Sequence, residues 1–98
     1  MIIVTVDPCG IRIKGHAGYA PAGKDIVCAA VSTLACTLVK SINELTDSRI
    51  FYMFDPGDIR IDFENLSESG KLLVDSFFLG ICGVIEEYGD YVKIGEGR

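Results

Sequence analysis

The sequence predicts a two-layer α+β domain of element order ββαββαβ, a mainly antiparallel sheet of about five strands with two helices on one face. Three observations predict it. Apolar residues alternate in two pairs of short segments, each pair joined by a turn that contains proline and glycine. Two longer segments instead repeat apolar residues at helical spacing. Each of these has a single apolar stripe, so together they cover one face of a five-stranded sheet and leave the other partly open. At 98 residues the chain is one domain, 1–98, since single domains commonly run to about 100–150 residues.

Taken in order, Ile2 to Val6 is β-branched and apolar, and Ile11 to Lys14 alternates strictly. Between them Asp7-Pro8-Cys9-Gly10 carries proline and glycine at the positions a tight turn favours, which makes a hairpin. After the small-residue loop from Gly18 to Gly23, the residues Val27, Val31, Leu34, Leu38 and Ile42 mark a helix from about Asp25 to Asn43. Ile50 to Phe54 and Ile59 to Phe63 flank Asp55-Pro56-Gly57-Asp58, a second hairpin. Leu73, Phe77, Ile81, Val84 and Tyr88 mark a second helix from about Ser67, stopped at Gly89, where a left-handed residue is expected. Tyr91 to Ile94 forms the last strand. By alternation Ile3, Phe51 and Met53 fall on the open face, an apolar patch suited to a dimer contact or a ligand groove, or simply a few surface apolar residues.

The composition narrows the function classes. With 49% apolar and 23% charged residues the chain has material for a core and is not disordered. Nine Lys and Arg against 14 Asp and Glu leave a net charge of -5, which opposes direct nucleic-acid binding. No run approaching the roughly 18 apolar residues of a membrane span is evident, and the N-terminus has neither a basic region nor a small-residue cleavage site. The expectation is a cytoplasmic protein without a membrane segment. Cys9, Cys28, Cys36 and Cys82 are separated by 19, 8 and 46 residues, with no paired short spacing, so they read as free thiols with no metal site. Cys36 and Cys82 read as core residues of the two helices. No cofactor is implied.

Gly18-x-x-x-x-Gly23-Lys24 resembles a phosphate-binding loop, but Asp25 stands where the motif needs a hydroxyl to ligate magnesium. A carboxylate there would oppose a phosphate at the helix N-terminus. Nucleotide binding therefore ranks last. Asp25 is better placed as an N-cap that takes up the free backbone donors of the helix. Cys28 then falls in the first turn, where the helix dipole favours a thiolate, although a cysteine between Val27 and Ala29 is also a natural small buried residue. His16, the only histidine, stands at the end of the second strand, one glycine-bounded loop upstream. A nucleophilic cysteine needs such a partner to protonate the leaving amine. Strict alternation would put His16 on the face of Arg12 and Lys14, away from the helices, unless Gly15 or Gly18 re-aims it. First-turn N–H groups and the glycine loop are the expected oxyanion donors. Ser32 lies one turn after Cys28, where a serine bonding back to its own helix is common.

The residues Gly15-His16-Ala17-Gly18-Tyr19-Ala20, then Gly23, then Asp25 through Ser32, resemble the signature of the Prp family of ribosomal-processing cysteine proteases. Length and element order agree along essentially the whole chain, with residues 15–32 diagnostic. The resemblance implies a cysteine endopeptidase that removes a short N-terminal extension from a bacterial large-subunit ribosomal protein, cutting after an aromatic pair and before a small residue. It implies Cys28 as nucleophile, His16 as its partner and a homodimer. The loop from Gly18 to Gly23, with Tyr19, is expected to be mobile and to order over substrate, and Asp25 and Ser32 stand in supporting positions. Tyr19 would then pack on an aromatic side chain of the substrate. The alternative is a non-catalytic homodimeric module that binds ribosomal protein or assembly intermediates through the open sheet face.

Overall fold

A computed structural model describes residues 1–96. The elements are β1 Ile2–Asp7, β2 Gly10–Lys14, α1 Ile26–Leu45, β3 Arg49–Asp55, β4 Asp58–Asn65, α2 Glu68–Tyr88 and β5 Val92–Ile94. They form one five-stranded sheet of order β3-β4-β2-β1-β5. All neighbours are antiparallel except β5, which runs parallel to β1. A parallel pair needs a crossover, and α2 supplies it.

Alternation sets the two faces. Val4 and Val6, Ile11 and Ile13, Ile59 and Ile61, and Val92 form the buried face. They share one core with Val27, Val31, Ala35, Leu38, Val39 and Ile42 of α1, and with Val74, Phe77 and Ile81 of α2. The predicted stripes are thus broadly the buried ones, with Leu34, Leu73, Val84 and Tyr88 half-buried at their margins. Leu34 is there because α1 and α2 approach closely at Gly80, where a Cβ would come within 2.9 Å of a Leu34 methyl.

Both hairpins form, by different devices. Asp7 accepts from the N–H groups of Cys9 and Gly10 at 2.8 and 3.0 Å, folding the turn around its own carboxylate. In the second, Pro56 presets one dihedral and Gly57 takes the left-handed conformation at φ +69°.

Several expectations need correction. Gly89 is right-handed, with φ -61°, because the chain continues through a turn closed by the Tyr91 N–H on the Tyr88 carbonyl rather than reversing. Cys36 is exposed, on the solvent side of α1, and only Cys82 is half-buried. The helix α1 is also long and apolar enough by length and composition to cross a membrane, contrary to the expectation of no such run. Here its apolar stripe lies on the sheet, and Ser, Thr, Cys and Ala make up much of the remainder. Finally, β3 is exposed on both sides, not only at Phe51 and Met53: Tyr52 and Phe54 are 54% and 37% exposed. As the edge strand it is covered by the helix layer only near its start, where Ile50 packs against the core.

Candidate active site

The chain between β2 and α1 is re-aimed at its first residue. Gly15 adopts φ +98°, which strands do not, so the alternation of β2 stops at Lys14 and does not carry on to His16. The Met1 amino group donates to the His16 carbonyl at 2.6 Å, and the Gly15 N–H donates to the Gly57 carbonyl at 3.0 Å. Ala17 then inserts its methyl into the core, 5% exposed. Its backbone N–H donates to Sγ of Cys28 at 3.4 Å. The consequence is a cavity of about 280 Å³ lined by both His16 and Cys28.

Ser32 lines the same cavity, one helical turn beyond Cys28. Ile13, Val31, Phe54 and Ile59 give it apolar walls, while Asp55 and Asp58 bring carboxylates to the side of the β3–β4 turn. That turn looks like an ordinary hairpin in the sequence. Its place beside His16 comes from the pairing of β2 with β4, where Lys14 faces Asp58 and Ile13 faces Ile59. Among the described residues no hydrogen bond joins the imidazole of His16 to Sγ of Cys28. The two groups open on one space instead.

Asp25 is the N-cap of α1, as expected. One carboxylate oxygen accepts from the N–H groups of Val27 and Cys28, each at 3.0 Å. The other accepts from Tyr19 at 3.0 Å and Ala20 at 3.3 Å. The Cys28 N–H foremost, together with those of Ala20, Tyr19 and Val27, holds the carboxyl below its ordinary value against an opposing effect of desolvation. Several of the expected oxyanion donors are therefore already engaged. The Val27 and Cys28 donors are occupied by Asp25, and the Ala29 N–H is occupied by the Asp25 carbonyl. The donor that reaches the sulfur comes from Ala17.

The loop is tethered at one end and open at the other. Tyr19 packs edge-on against Tyr88 and Tyr91, with ring centroids 5.6 and 5.2 Å apart. Its ring is therefore partly engaged by the protein itself, and the residue stays 42% exposed beside the expected substrate path. Gly18 and Gly23 both have positive φ, and a Cβ at either would meet nothing within 4 Å. Their requirement is conformational, not steric.

A cysteine at a helix start, a histidine across the same cavity and a backbone donor on the sulfur are the parts of a thiol hydrolase. The sequence matches the family Cysteine protease Prp over residues 1–93, and the chain belongs to that family. It is thus a cysteine protease, an enzyme and not a non-catalytic binding module. Among solved structures, the S. aureus ribosomal processing protease Prp with a covalently linked product peptide is similar at 24% identity and TM-score 0.85, covering 96% of this chain and 95% of that one. The S. aureus protease with a substrate peptide is similar at 23% identity and TM-score 0.77, over the same shares of the two chains. These two share the fold. SMU.848 from Streptococcus mutans is 32% identical with TM-score 0.76, covering 95% of this chain and 89% of that one. No curated protein sequence matches the chain at a significant level.

Proposed function

We propose that the protein is a cysteine endopeptidase in which Cys28 is the nucleophile and His16 its acid–base partner, acting on the N-terminal segment of a bacterial large-subunit ribosomal protein. The observation that carries the reading is the shared cavity of His16 and Cys28 with the Ala17 N–H on the sulfur. The thiolate attacks the scissile carbonyl carbon, forming the C–S bond as the carbonyl oxygen takes up charge. His16 gives a proton to the leaving amine, and the acyl-enzyme forms. His16 then takes a proton from water, which attacks the thioester and releases the acid. The Ala17 N–H, which donates to the sulfur at 3.4 Å, is the donor we assign to the developing oxyanion.

The supporting residues take distinct parts. Asp25 holds the loop to the helix start, Gly18 and Gly23 allow the loop its path, Tyr19 anchors it, and Ser32 lines the cavity next to the sulfur. The apolar walls suit an aromatic side chain next to the scissile bond. An extended segment of a basic ribosomal protein also meets favourable charge on a chain of net charge -5. The S. aureus relatives carry the description of a ribosomal processing protease, which supports the same substrate class here. The cytoplasm is where that substrate is made. The exposed Phe51 and Met53 support a homodimer formed through the open face near β3.

A peptide carrying Phe-Phe-Ala tests the reading. Cleavage between Phe and Ala by the native protein, lost in Cys28→Ala and in His16→Ala, is the expected result. Cleavage that survives Cys28→Ala overturns it.

A further inference from the structure

We infer that Gly57, in the turn between β3 and β4, is the positioning residue of His16: its bare Cα is the surface on which the imidazole rests, and any side chain there displaces the ring from the Cys28 cavity. The inference rests on the reading of His16 as the partner of Cys28 and assigns what holds that partner in place.

His16 has little else to fix its ring. It stands beyond the end of β2, exposed, so neither alternation nor core packing orients it. Among the described residues no hydrogen bond holds either ring nitrogen. Against the ring lies Gly57. A Cβ on Gly57 would lie 2.7 Å from Nε2, 3.1 Å from Cε1 and 3.3 Å from Cδ2, so the imidazole occupies the space a side chain would need. Three ring atoms within that span place the ring across the glycine, not beside it.

The support itself is rigid. The Gly57 carbonyl accepts from the Gly15 N–H at 3.0 Å, which ties the turn to the residue just before His16. The pairing of Lys14 with Asp58 fixes the height of the turn against the end of β2. Gly57 and His16 both line the cavity of Cys28. A nucleophile and its base must be held to within a fraction of an ångström for efficient catalysis, and a rigid turn at the end of two paired strands can do so.

Gly57 also has a conformational reason to be glycine, its φ of +69°. The two reasons separate experimentally, because asparagine tolerates the left-handed region but carries a Cβ. His16 is the only histidine, so its Cε1–H resonance is unique in an NMR spectrum. The experiment records nuclear Overhauser contacts from that proton to the Gly57 α protons in the native protein. It then compares Gly57→Asn and native protein by the His16 resonance, thermal melting, and kcat and KM on the Phe-Phe-Ala peptide. The expected results are a direct contact in the native protein, a displaced His16 resonance in Gly57→Asn, and kcat lower by about 100-fold with KM nearly unchanged. Absence of the native contact overturns the inference, and this measurement stands even if the variant fails to fold. A folded Gly57→Asn with the native resonance and native kcat also overturns it. Failure of the dyad reading looks different: His16→Ala would cleave normally while the native protein still showed the His16–Gly57 contact.

Discussion

The backbone N–H of Ala17 donates to Sγ of Cys28 at 3.4 Å, across the loop that separates the strand end from the helix start. Because the Ala17 methyl is buried, that donor is fixed by the core and not by the loop. It also sits one residue from His16, so the sulfur's hydrogen-bond donor and its acid–base partner are placed by the same turn of chain.

Replacing His16 should slow the chemistry of Cys28 without exposing it further. Iodoacetamide labelling at neutral pH, followed by intact mass, should show one fast-reacting site in the native protein, absent in Cys28→Ala and slowed in His16→Ala. General acid–base partners of this kind contribute about 100-fold or more to turnover. Equal labelling rates in native and His16→Ala protein would count against the pairing.

Asp25 contributes through four backbone donors, and its pH dependence has a definite sign. Its carboxyl is held below the ordinary value, by the Cys28 N–H first. The stabilisation is therefore fully present above the unfolded-state value and disappears as pH falls through the lower folded value. Asp25→Asn keeps one acceptor and loses the charge and the second oxygen. Thermal melts from pH 7 down to pH 3 should show a lower midpoint for the variant at neutral pH, with the two proteins converging as acid protonates Asp25. A constant gap across the range would refute the charge argument.

The tyrosine cluster makes a prediction about the loop. Each edge-on pair of aromatic rings is worth about 0.5–1.5 kcal/mol, and Tyr19 makes two of them. Tyr19→Ala should raise amide exchange across residues 17–24 while α1 stays protected, and should raise KM more than it lowers kcat. Unchanged exchange in that segment would show the loop is held by Asp25 alone.

The edge strand predicts the oligomeric state. Phe51 is 62% and Met53 47% exposed on the face the helices leave open. Light scattering should report a dimer for the native protein and a monomer for Phe51→Asp. A native monomer at high concentration would sink the dimer proposal.

Gly10 tests the sheet. A Cβ there would run into the Ile61 carbonyl and lie 3.2 Å from the Asp62 Cα. Both are backbone, so neither can turn aside. Gly10→Ala should destabilise the fold by about 1–3 kcal/mol, as overpacking does, measured by urea unfolding. A smaller loss would mean β2 and β4 separate easily.

The seven elements were legible because strand alternation and helical stripes are local, and each is bounded by its own turn or cap: Asp7, Asp25, Pro56 and Ser67 all act within a few residues. Cys28 and Asp25 were legible for the same reason. The aim of His16 was not, since it depends on one dihedral at Gly15 that alternation does not foresee. Nor was the turn at Gly57, whose contact with His16 joins residues far apart in the sequence through the pairing of β2 with β4 and has no local signature. Cys36 misled because a helix rich in alanine, serine and threonine has no sharply polar side, so residue type alone did not tell its wet face from its dry one.

Tyr88 and Tyr91, on which Tyr19 rests, belong to the last helix and the link to the last strand. During synthesis the loop beside the sulfur therefore has only its Asp25 tether until residues far downstream have left the ribosome. The aromatic part of that seat is thus among the last pieces of the domain to be supplied.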